Sequence, residues 1–269
     1  MQGIAELSGK IAVITGTASG IGQGIALGFL RAGASVIAAD RHVQDGTQKL
    51  AVEEGLAGRL HCMTADVTRE DDVAGIVEAA RTKCGRFDIM VNNAGGSGAL
   101  EPLLDIEVAD FDATFALLVR SVFPGIKHGG GALRTQGEGG VILSTASIAA
   151  RTGGCSPSLY AAAKAAVVQL SAMAAVQLAP WRIRVNSVSP GPIMIPGFAA
   201  GGISEERLAQ LQPWPEAGKP ADVAAVMIFL AGDQCRFATG SDLVLDGGLL
   251  AQGSLWLERL YGKSLAQQT

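Results

Sequence analysis

Tyr160 and Lys164 stand four positions apart in an alanine-rich stretch, and Ser147 lies before them at the end of an apolar run. On a helix, this spacing places the tyrosine and the lysine on one face, about one turn apart. A phenol is a poor base at neutral pH because its pKa is about 10, and a nearby cation lowers that pKa by favouring the phenolate. With a hydroxyl that can hold an oxygen atom, these side chains predict general acid–base catalysis at a C–O centre.

The same residues also have a purely structural interpretation. A tyrosine followed by a lysine at this spacing is common by chance, and a buried Tyr160 with Lys164 extending to solvent would need no catalysis. The three side chains supply no hydride, so an oxidoreductase built on them needs a cofactor. The rest of the chain decides between these interpretations.

A glycine-rich stretch, Gly16–Gly22, directly follows an apolar run at Lys10–Thr15 that predicts a buried strand. A helix is predicted from there to about Ala32. Glycines between a strand and a helix permit a tight turn and let a pyrophosphate approach the N–H groups at the helix N-terminus. The stretch therefore predicts a dinucleotide site at Gly16, Gly20 and Gly22, with a plain glycine-rich turn as the alternative.

Asp40 follows a second predicted strand, Ser35–Ala39. A carboxylate at this place can accept hydrogen bonds from the ribose hydroxyls of an adenosine and would repel a 2′-phosphate. The pattern predicts NAD rather than NADP, although the adjacent Arg41 could still bind a phosphorylated ribose. The alternative for Asp40 is a helix or turn cap.

Composition excludes several classes of function. The chain has 269 residues, a net charge of −4 and a pI of about 5.4, and 48% of its residues are hydrophobic. No basic surface is expected for nucleic acid or anionic membrane. No leader and no apolar run long enough to span a bilayer is recognised, so a soluble cytoplasmic protein is predicted. The scattered cysteines and histidines predict free thiols and no metal site.

Predicted strands and helices alternate along the chain without a change in composition. This pattern predicts an α/β fold, a Rossmann-type doubly wound parallel sheet of about seven strands with helices on both faces. One dinucleotide-binding and catalytic domain over residues 1–269 is expected. Beyond the segments already given, the predicted elements are helices at 44–54, 68–83, 107–127, 160–179 and 220–231, and strands at 59–64, 87–91, 141–145, 183–188 and 243–246.

Three further segments carry expectations. Gly129–Gly140 is predicted to be a mobile surface turn, because a strand rather than a helix follows it. Residues 196–215 are rich in glycine, proline and alanine and predict a lid over the site. The tail at 249–269, with its leucines, Trp256 and Tyr261, is expected to cover a subunit interface. Asp66 and Val67, at the end of the third strand, could border an adenine.

Six motifs occur in order over about the first 250 positions: Thr15-Gly-x-x-x-Gly20-Ile-Gly22, Asn92-Asn93-Ala94-Gly95, Ser147, Tyr160-x-x-x-Lys164, Pro190-Gly191 and Asp246-Gly247-Gly248. Their types, order and spacing resemble the short-chain dehydrogenase/reductase family. The resemblance implies a seven-stranded Rossmann-type sheet and a homotetramer or homodimer.

The resemblance also implies roles for individual residues. Tyr160 would be the acid and base, Lys164 would lower the tyrosine pKa and hold the nicotinamide ribose, and Ser147 would anchor the substrate oxygen. The resemblance implies that the pyrophosphate is contacted by Gly16, Ser19 and Ile21. It implies that the adenine and its ribose are contacted by Asp66, Val67 and Asn93, the last in a loop with Ala94 and Gly95. The implied contacts with the nicotinamide are Pro190, Gly191 and Ile193.

Two positions depart from the family pattern. Leu118 stands where the family has an asparagine that holds a water for proton relay from Lys164 to solvent, and leucine has no donor or acceptor for that water. Thr114 and Ser121, one turn to either side, are predicted to take over the relay. Ile195 stands where a threonine commonly binds the nicotinamide carboxamide.

These observations favour an NAD-dependent oxidoreductase that interconverts a secondary alcohol and a ketone. Apolar residues near the expected site mouth suggest a hydrophobic or cyclic substrate, although they could equally belong to the core or an interface; they are Leu100, Leu103, Leu159, Phe198 and Trp214. Two alternatives remain: a non-catalytic NAD-binding sensor, and an NADPH-dependent carbonyl or oxoacyl reductase. Asp40 and the net charge disfavour the second.

Overall fold

A parallel sheet forms the centre of the computed structural model, which describes residues 7–154 and 156–252. Within these ranges seven strands pair in the order β3-β2-β1-β4-β5-β6-β7, every pair parallel. The strands are β1 (Ile11–Thr15), β2 (Ser35–Asp40), β3 (Leu60–Thr64), β4 (Ile89–Asn92), β5 (Gly140–Thr145), β6 (Ile183–Pro190) and β7 (Asp242–Leu245). The predicted fold class is therefore confirmed.

Helices connect the strands. The α-helices of the described part are α1 (Gly20–Arg31), α2 (Asp45–Glu53), α3 (Glu70–Cys84), α4 (Val108–Phe115), α5 (Val122–Gln136), α6 (Ser158–Leu178), α7 (Pro196–Ala200), α8 (Glu205–Ala209) and α9 (Pro220–Ala231). Short 3₁₀ helices span Ala57–Arg59, Leu103–Asp105, Ile148–Arg151, Ala179–Trp181 and Asp233–Cys235, and a π-helical segment spans Ala116–Arg120.

Two apolar cores lie on opposite faces of the sheet. Strand β1 is buried along its whole length, which is typical of a parallel sheet covered on both sides. Ala12 and Ile14 pack into a core with α1 and α9, whereas Ile11 and Val13 face a second core with α3, α5 and α6. The alternation follows from the period of two along a strand. Helices on both faces are thus confirmed.

The order in which strands are added to the sheet reverses at β1, which has β2 on one side and β4 on the other. In open sheets of this kind, ligands bind in the crevice at the carboxyl ends of the strands beside such a switch point. The segments that leave β1 and β4 begin at Gly16 and Asn93. The topology therefore brings together two motifs that are far apart in sequence.

The predicted surface turn at Gly129–Gly140 is wrong, because α5 continues through most of it to Gln136. Gly129 and Gly130 are buried. A Cβ on Gly129 would lie 3.3 Å from the Cβ of Met90, and one on Gly130 would lie 3.1 Å from a methyl of Leu178. These glycines let the helix approach β4 and α6 closely, which a reading of glycine as a turn signal does not anticipate.

The predicted single helix at 107–127 is interrupted. Helix α4 ends at Phe115, the π-helical segment Ala116–Arg120 follows, and α5 begins at Val122. The N–H of Ser121 donates to the carbonyl of Ala116 at 3.1 Å, five residues earlier. Such single π turns within helices frequently occur at functional sites.

One helix in the described part, Leu159–Trp181, is long and apolar enough to cross a membrane, which corrects the expectation that no apolar run has that length. It packs instead on the sheet. Val167, Ala174 and Ala175 lie in the second core with β5 and β6 residues such as Ile142. The segment is a buried core helix.

The proposed lid contains α7, α8 and an irregular stretch whose far end is tied to the turn after β7. The N–H of Trp214 donates to the carbonyl of Gly247 at 3.0 Å, and the side-chain amide of Gln252 donates to the carbonyl of Leu211 at 3.2 Å. Residues 253–269 of the predicted tail lie outside the described residues.

Candidate active site

Ser147 begins the short 3₁₀ helix Ile148–Arg151, two residues after β5 ends at Thr145. Its Oγ accepts a hydrogen bond from the N–H of Ala149 at 3.1 Å, an N-cap interaction. A hydroxyl has one proton to donate, and no described residue accepts it. Ser147 can therefore donate to an oxygen atom of a bound molecule.

Tyr160 and Lys164 lie in the first two turns of α6, just after Pro157. The Lys164 side chain is almost fully buried, its Nζ donates to the carbonyl of Thr145 at 2.8 Å, and Nζ lies 5.6 Å from the centre of the Tyr160 ring. Burial lowers the pKa of Lys164 to about 8, so the amine is still protonated at neutral pH. A cation at this distance favours the phenolate form of the tyrosine.

The turn between β1 and α1 can be built only with glycine at two positions. Gly16 has φ +74°, and a Cβ there would lie 2.7 Å from the Cα of Ala94. A Cβ on Gly22 would lie 1.9 Å from the carbonyl oxygen of Gly16. The absence of side chains keeps the turn compact and brings the 94–95 loop against it.

The N-terminus of α1 is open to an anion. Ser19 is the N-cap residue with an extended backbone, and its side chain makes no capping hydrogen bond. The N–H groups of the first turn, at Gly20, Ile21 and Gly22, have no intrahelical acceptors. Together with the helix dipole they fit the pyrophosphate of a dinucleotide.

Asn93 joins three strands at their carboxyl ends. Its Nδ2 donates to the carbonyl of Thr15 at 2.9 Å, and its Oδ1 accepts from the hydroxyl of Thr145 at 3.0 Å. The Thr15 Oγ1 in turn accepts from the N–H groups of Asn93 and Ala94, at 3.0 and 3.1 Å. The Asn93 side chain therefore holds together the strand ends that form the floor of the crevice. Its contact with an adenine or a ribose stays a prediction. No role was assigned to Thr15 or Thr145 from the sequence, although a polar residue at the end of an apolar run is a signal that could have identified both.

Asp40 ends β2 beside the glycine turn. Its carboxylate accepts from the N–H of Ala18 at 2.9 Å and from the N–H of His42 at 2.8 Å. The side chain is partly exposed, and Arg41 next to it is exposed, with its Nε 3.1 Å from the ring of His42. Asp40 therefore lies at the glycine turn, and its contact with a ribose stays a prediction.

Asp66 and Val67 lie just after β3, next along the same edge of the sheet. The Asp66 carboxylate accepts from the N–H and the hydroxyl of Thr68, at 2.9 and 2.7 Å. These two bonds lower the pKa of Asp66, so the group is ionised at neutral pH. Val67 is buried.

The segment after β6 is held on the far side of the crevice. The N–H of Gly191 donates to the carbonyl of Leu245 at 2.8 Å, directly after Pro190 ends the strand. Ile193 is buried in the first core, and its backbone bridges to Gly218. Ile195 packs over the glycine turn, with a methyl 3.4 Å from where a Cβ on Gly20 would stand.

Comparison with known proteins places this site in a family. A family model for enoyl-(acyl carrier protein) reductase matches residues 16–250. The chain is 36% identical over 259 residues to (+)-borneol dehydrogenase 2 of Salvia officinalis, covering 90% of each chain. It is 37% identical over 251 residues to 3β-hydroxysteroid dehydrogenase 2 of Eggerthella lenta, covering 90% of this chain and 95% of that protein.

A solved short-chain dehydrogenase/reductase from Mycobacterium marinum superimposes with a TM-score of 0.84 at 35% identity, over 91% of this chain and 97% of that one. The chain belongs to the short-chain dehydrogenase/reductase family. It is therefore an oxidoreductase that acts on hydroxyl or carbonyl groups and belongs to a family that uses NAD(P)(H).

Leu118 is the main predicted departure from the family pattern in the site. It lies in the π-helical segment, fully buried. A Cβ built on Gly95 would lie 3.4 Å from a methyl of Leu118 and 3.9 Å from Nζ of Lys164. Leu118 and the Lys164 ammonium thus both lie beside Gly95, and the assignment of Leu118 to the position of the family's asparagine amide stays a prediction.

The two hydroxyls that were predicted to replace that amide already hold backbone groups. Thr114 Oγ1 accepts from the N–H of Ala99 at 3.0 Å, and Ser121 Oγ donates to the carbonyl of Leu117 at 2.5 Å. Thr114 keeps its proton to donate, since no described residue accepts it, whereas the proton of Ser121 is committed. A relay through Thr114 stays a prediction.

Proposed function

We propose that this protein is an NAD-dependent oxidoreductase that interconverts a secondary alcohol and a ketone. The observation that carries the proposal is the buried Lys164 ammonium, 5.6 Å from the centre of the Tyr160 ring and held by the Thr145 carbonyl. A structural lysine would extend to solvent, whereas this one is buried where it favours a phenolate.

The proposed mechanism assigns each side chain one step. The hydroxyl of Ser147 donates to the substrate oxygen and orients it. Tyr160 takes the proton from the alcohol, or returns it to the ketone, while Lys164 lowers the tyrosine pKa. The bound cofactor would accept the hydride as NAD when the alcohol is oxidised and donate it as NADH when the ketone is reduced. The protein therefore contributes the relative positions of the reacting groups and a lowered pKa of Tyr160.

The preference for NAD over NADP rests on Asp40. Its carboxylate is anchored by the N–H of Ala18, so it faces the ribose position from a fixed place. A 2′-phosphate there would meet a like charge. Arg41 is exposed next to it and would attract a phosphate only once that carboxylate is removed.

The proposed substrate is hydrophobic or cyclic. Leu100, Leu103 and Trp214 are largely exposed, whereas Leu159 is buried at the start of α6. Two relatives are named for borneol and for a 3β-hydroxysteroid, and both compounds are cyclic secondary alcohols.

We further propose a homotetramer or homodimer in the cytoplasm. Support for assembly comes from exposed apolar residues on α5 and α6, Phe123, Met173 and Val176.

A screen for NADH production across cyclic and aromatic secondary alcohols tests the proposal. Tyr160→Phe should lower kcat by about 10²- to 10⁴-fold and leave the affinity for NAD nearly unchanged. A wild-type protein that binds NAD but oxidises no alcohol and reduces no ketone would instead support the sensor. Turnover only with NADPH and a carrier-linked acyl substrate would support the oxoacyl reductase, the alternative nearest to the description of the matched family model.

A further inference from the structure

The carboxylate of Asp242 accepts hydrogen bonds from three side chains on two other elements. Asp242 is the first residue of β7, and its side chain is only 5% exposed. Oδ1 accepts from the hydroxyls of Ser187 and Ser189 at 2.7 and 2.9 Å. Oδ2 accepts from Nη2 and Nε of Arg151 at 2.8 and 3.2 Å. A buried carboxylate with this many donors is fixed in position.

Arg151 is the last residue of the short 3₁₀ helix that Ser147 begins. A helix of four residues has little stability of its own. Its start is held by the N–H of Ala146, which donates to the carbonyl of Val188 on β6 at 2.8 Å. Its end is held by Arg151 on Asp242. The turn that carries the Ser147 hydroxyl is thus fastened to the sheet at both ends.

The same carboxylate reaches the strand that leads to the cofactor side of the crevice. Ser187 and Ser189 lie on β6, which ends at Pro190, and both serines are fully buried. One carboxylate therefore sets the Ser147 turn relative to the end of β6.

We propose that Arg151 and Asp242 are positioning residues for the reaction, and that their ion pair fixes the Ser147 hydroxyl at the distance the substrate oxygen requires. This inference rests on the proposed function, because it assumes that Ser147 holds that oxygen. Neither residue contacts the reacting atoms in the proposal, and both act through Ser147.

A second arginine–carboxylate pair offers a matched control. Arg31 and Glu54 form a two-pronged pair whose arginine is 50% exposed, close to the 47% of Arg151. It joins the end of α1 to the end of α2, away from the Ser147 turn. Its carboxylate is 34% exposed, whereas that of Asp242 is buried.

The kinetic experiment compares Arg151→Met, Asp242→Asn and Arg31→Met with wild type on an alcohol found in the screen. We expect kcat/KM for the alcohol to fall roughly tenfold in the first two, since a misplacement of about 1 Å can cost up to about 10²-fold. Arg31→Met should change it less than about twofold, and the dissociation constant of NAD should stay the same in all three. Arg151→Lys, which keeps the charge but loses the two-pronged geometry, should recover part of the loss.

The decisive comparison is made in a Ser147→Ala background. If Arg151 acts through Ser147, Arg151→Met should cause no further loss there. A full additional tenfold loss, or no loss in either background, would overturn the inference.

Amide hydrogen exchange over residues 147–151 provides a readout that does not depend on turnover. We expect faster exchange there in Arg151→Met and Asp242→Asn, and wild-type exchange in Arg31→Met. Unchanged protection in the first two variants would overturn the inference. If wild type turns over no alcohol or ketone, the proposed function fails, and the exchange result still decides whether Arg151 orders this turn.

Discussion

Replacing the buried lysine should make the protein more stable while abolishing its catalysis. Burial lowers the pKa of Lys164 from 10.5 to about 8, which corresponds to about 3 kcal/mol against folding at about 1.4 kcal/mol for each pH unit. Lys164→Met removes this cost and leaves the carbonyl of Thr145 without its donor, at a cost of about 1 kcal/mol. The free energy of unfolding at pH 7 should therefore rise by about 2 kcal/mol.

The pH dependence gives the sharper test. Because the pKa is lower in the folded chain, protonation of Lys164 opposes folding. The cost is complete below about pH 8, where the amine is protonated in both states. It disappears as the pH rises from about 8 to about 10.5, the window between the two pKa values. Wild type should therefore stay less stable than Lys164→Met by a constant amount, about 2 kcal/mol, up to about pH 8. It should then recover about 3 kcal/mol relative to the variant as the pH rises from about 8 to about 10.5.

Urea unfolding without added NAD, followed by fluorescence between pH 6 and 10.5, measures this difference. Lys49→Met serves as the control, because Lys49 is 78% exposed and pairs weakly with Glu53; it should change the free energy by less than about 0.5 kcal/mol at every pH. A Lys164→Met protein that is less stable than wild type at pH 7, with a parallel pH profile, would refute the reasoning. It would mean that the Lys164 charge is compensated in the fold.

Three other substitutions test the cofactor site and the proton path. Asp40→Ala should lower kcat/KM with NAD by about 10- to 100-fold, the range expected for the loss of hydrogen bonds to a charged group. The variant should also prefer NAD over NADP less strongly than wild type does. A wild type that prefers NADP would contradict the role assigned to Asp40. Gly22→Ala should abolish NADH binding, measured by fluorescence, because the added Cβ would lie 1.9 Å from the carbonyl oxygen of Gly16. Gly75→Ala is the control and should bind NADH as wild type does, because no atom lies within 4 Å of a Cβ at that position. Leu118→Asn should change kcat only modestly, and Thr114→Val should lower kcat; both are measured as kcat against pH, with solvent isotope effects. A large rise of kcat in Leu118→Asn, with no change in Thr114→Val, would show that the proton relay is missing.

Much of the fold and of the site could be predicted from sequence, because the signals are local. Buried strands such as β1 are continuous apolar runs, and the alternation of such runs with helical patterns predicts a parallel sheet. Gly16 directly follows β1 and Gly22 lies in the first turn of α1, so the compact turn that they form could be predicted from their positions along the chain. The spacing of Tyr160 and Lys164 on one helical turn is likewise a property of sequence.

Tertiary packing decided the points at which local signals were misleading. Gly129 and Gly130 read as turn residues, but their missing side chains let α5 pack against β4 and α6. The apolar helix Leu159–Trp181 has the composition of a membrane span and is a core helix, since the sheet covers it. In both cases the environment, not the intrinsic preference, determined the structure.

Contacts between distant residues could not be read from the chain. Arg151 and Asp242 are 91 positions apart, and Lys164 meets the carbonyl of Thr145 only because α6 folds back over β5. The burial that lowers the pKa of Lys164 is likewise a property of the packed helix and sheet. Sequence determined which chemical groups this protein has at its site, and the tertiary structure decided their distances, their partners and their proton affinities, because those depend on what packs around each group.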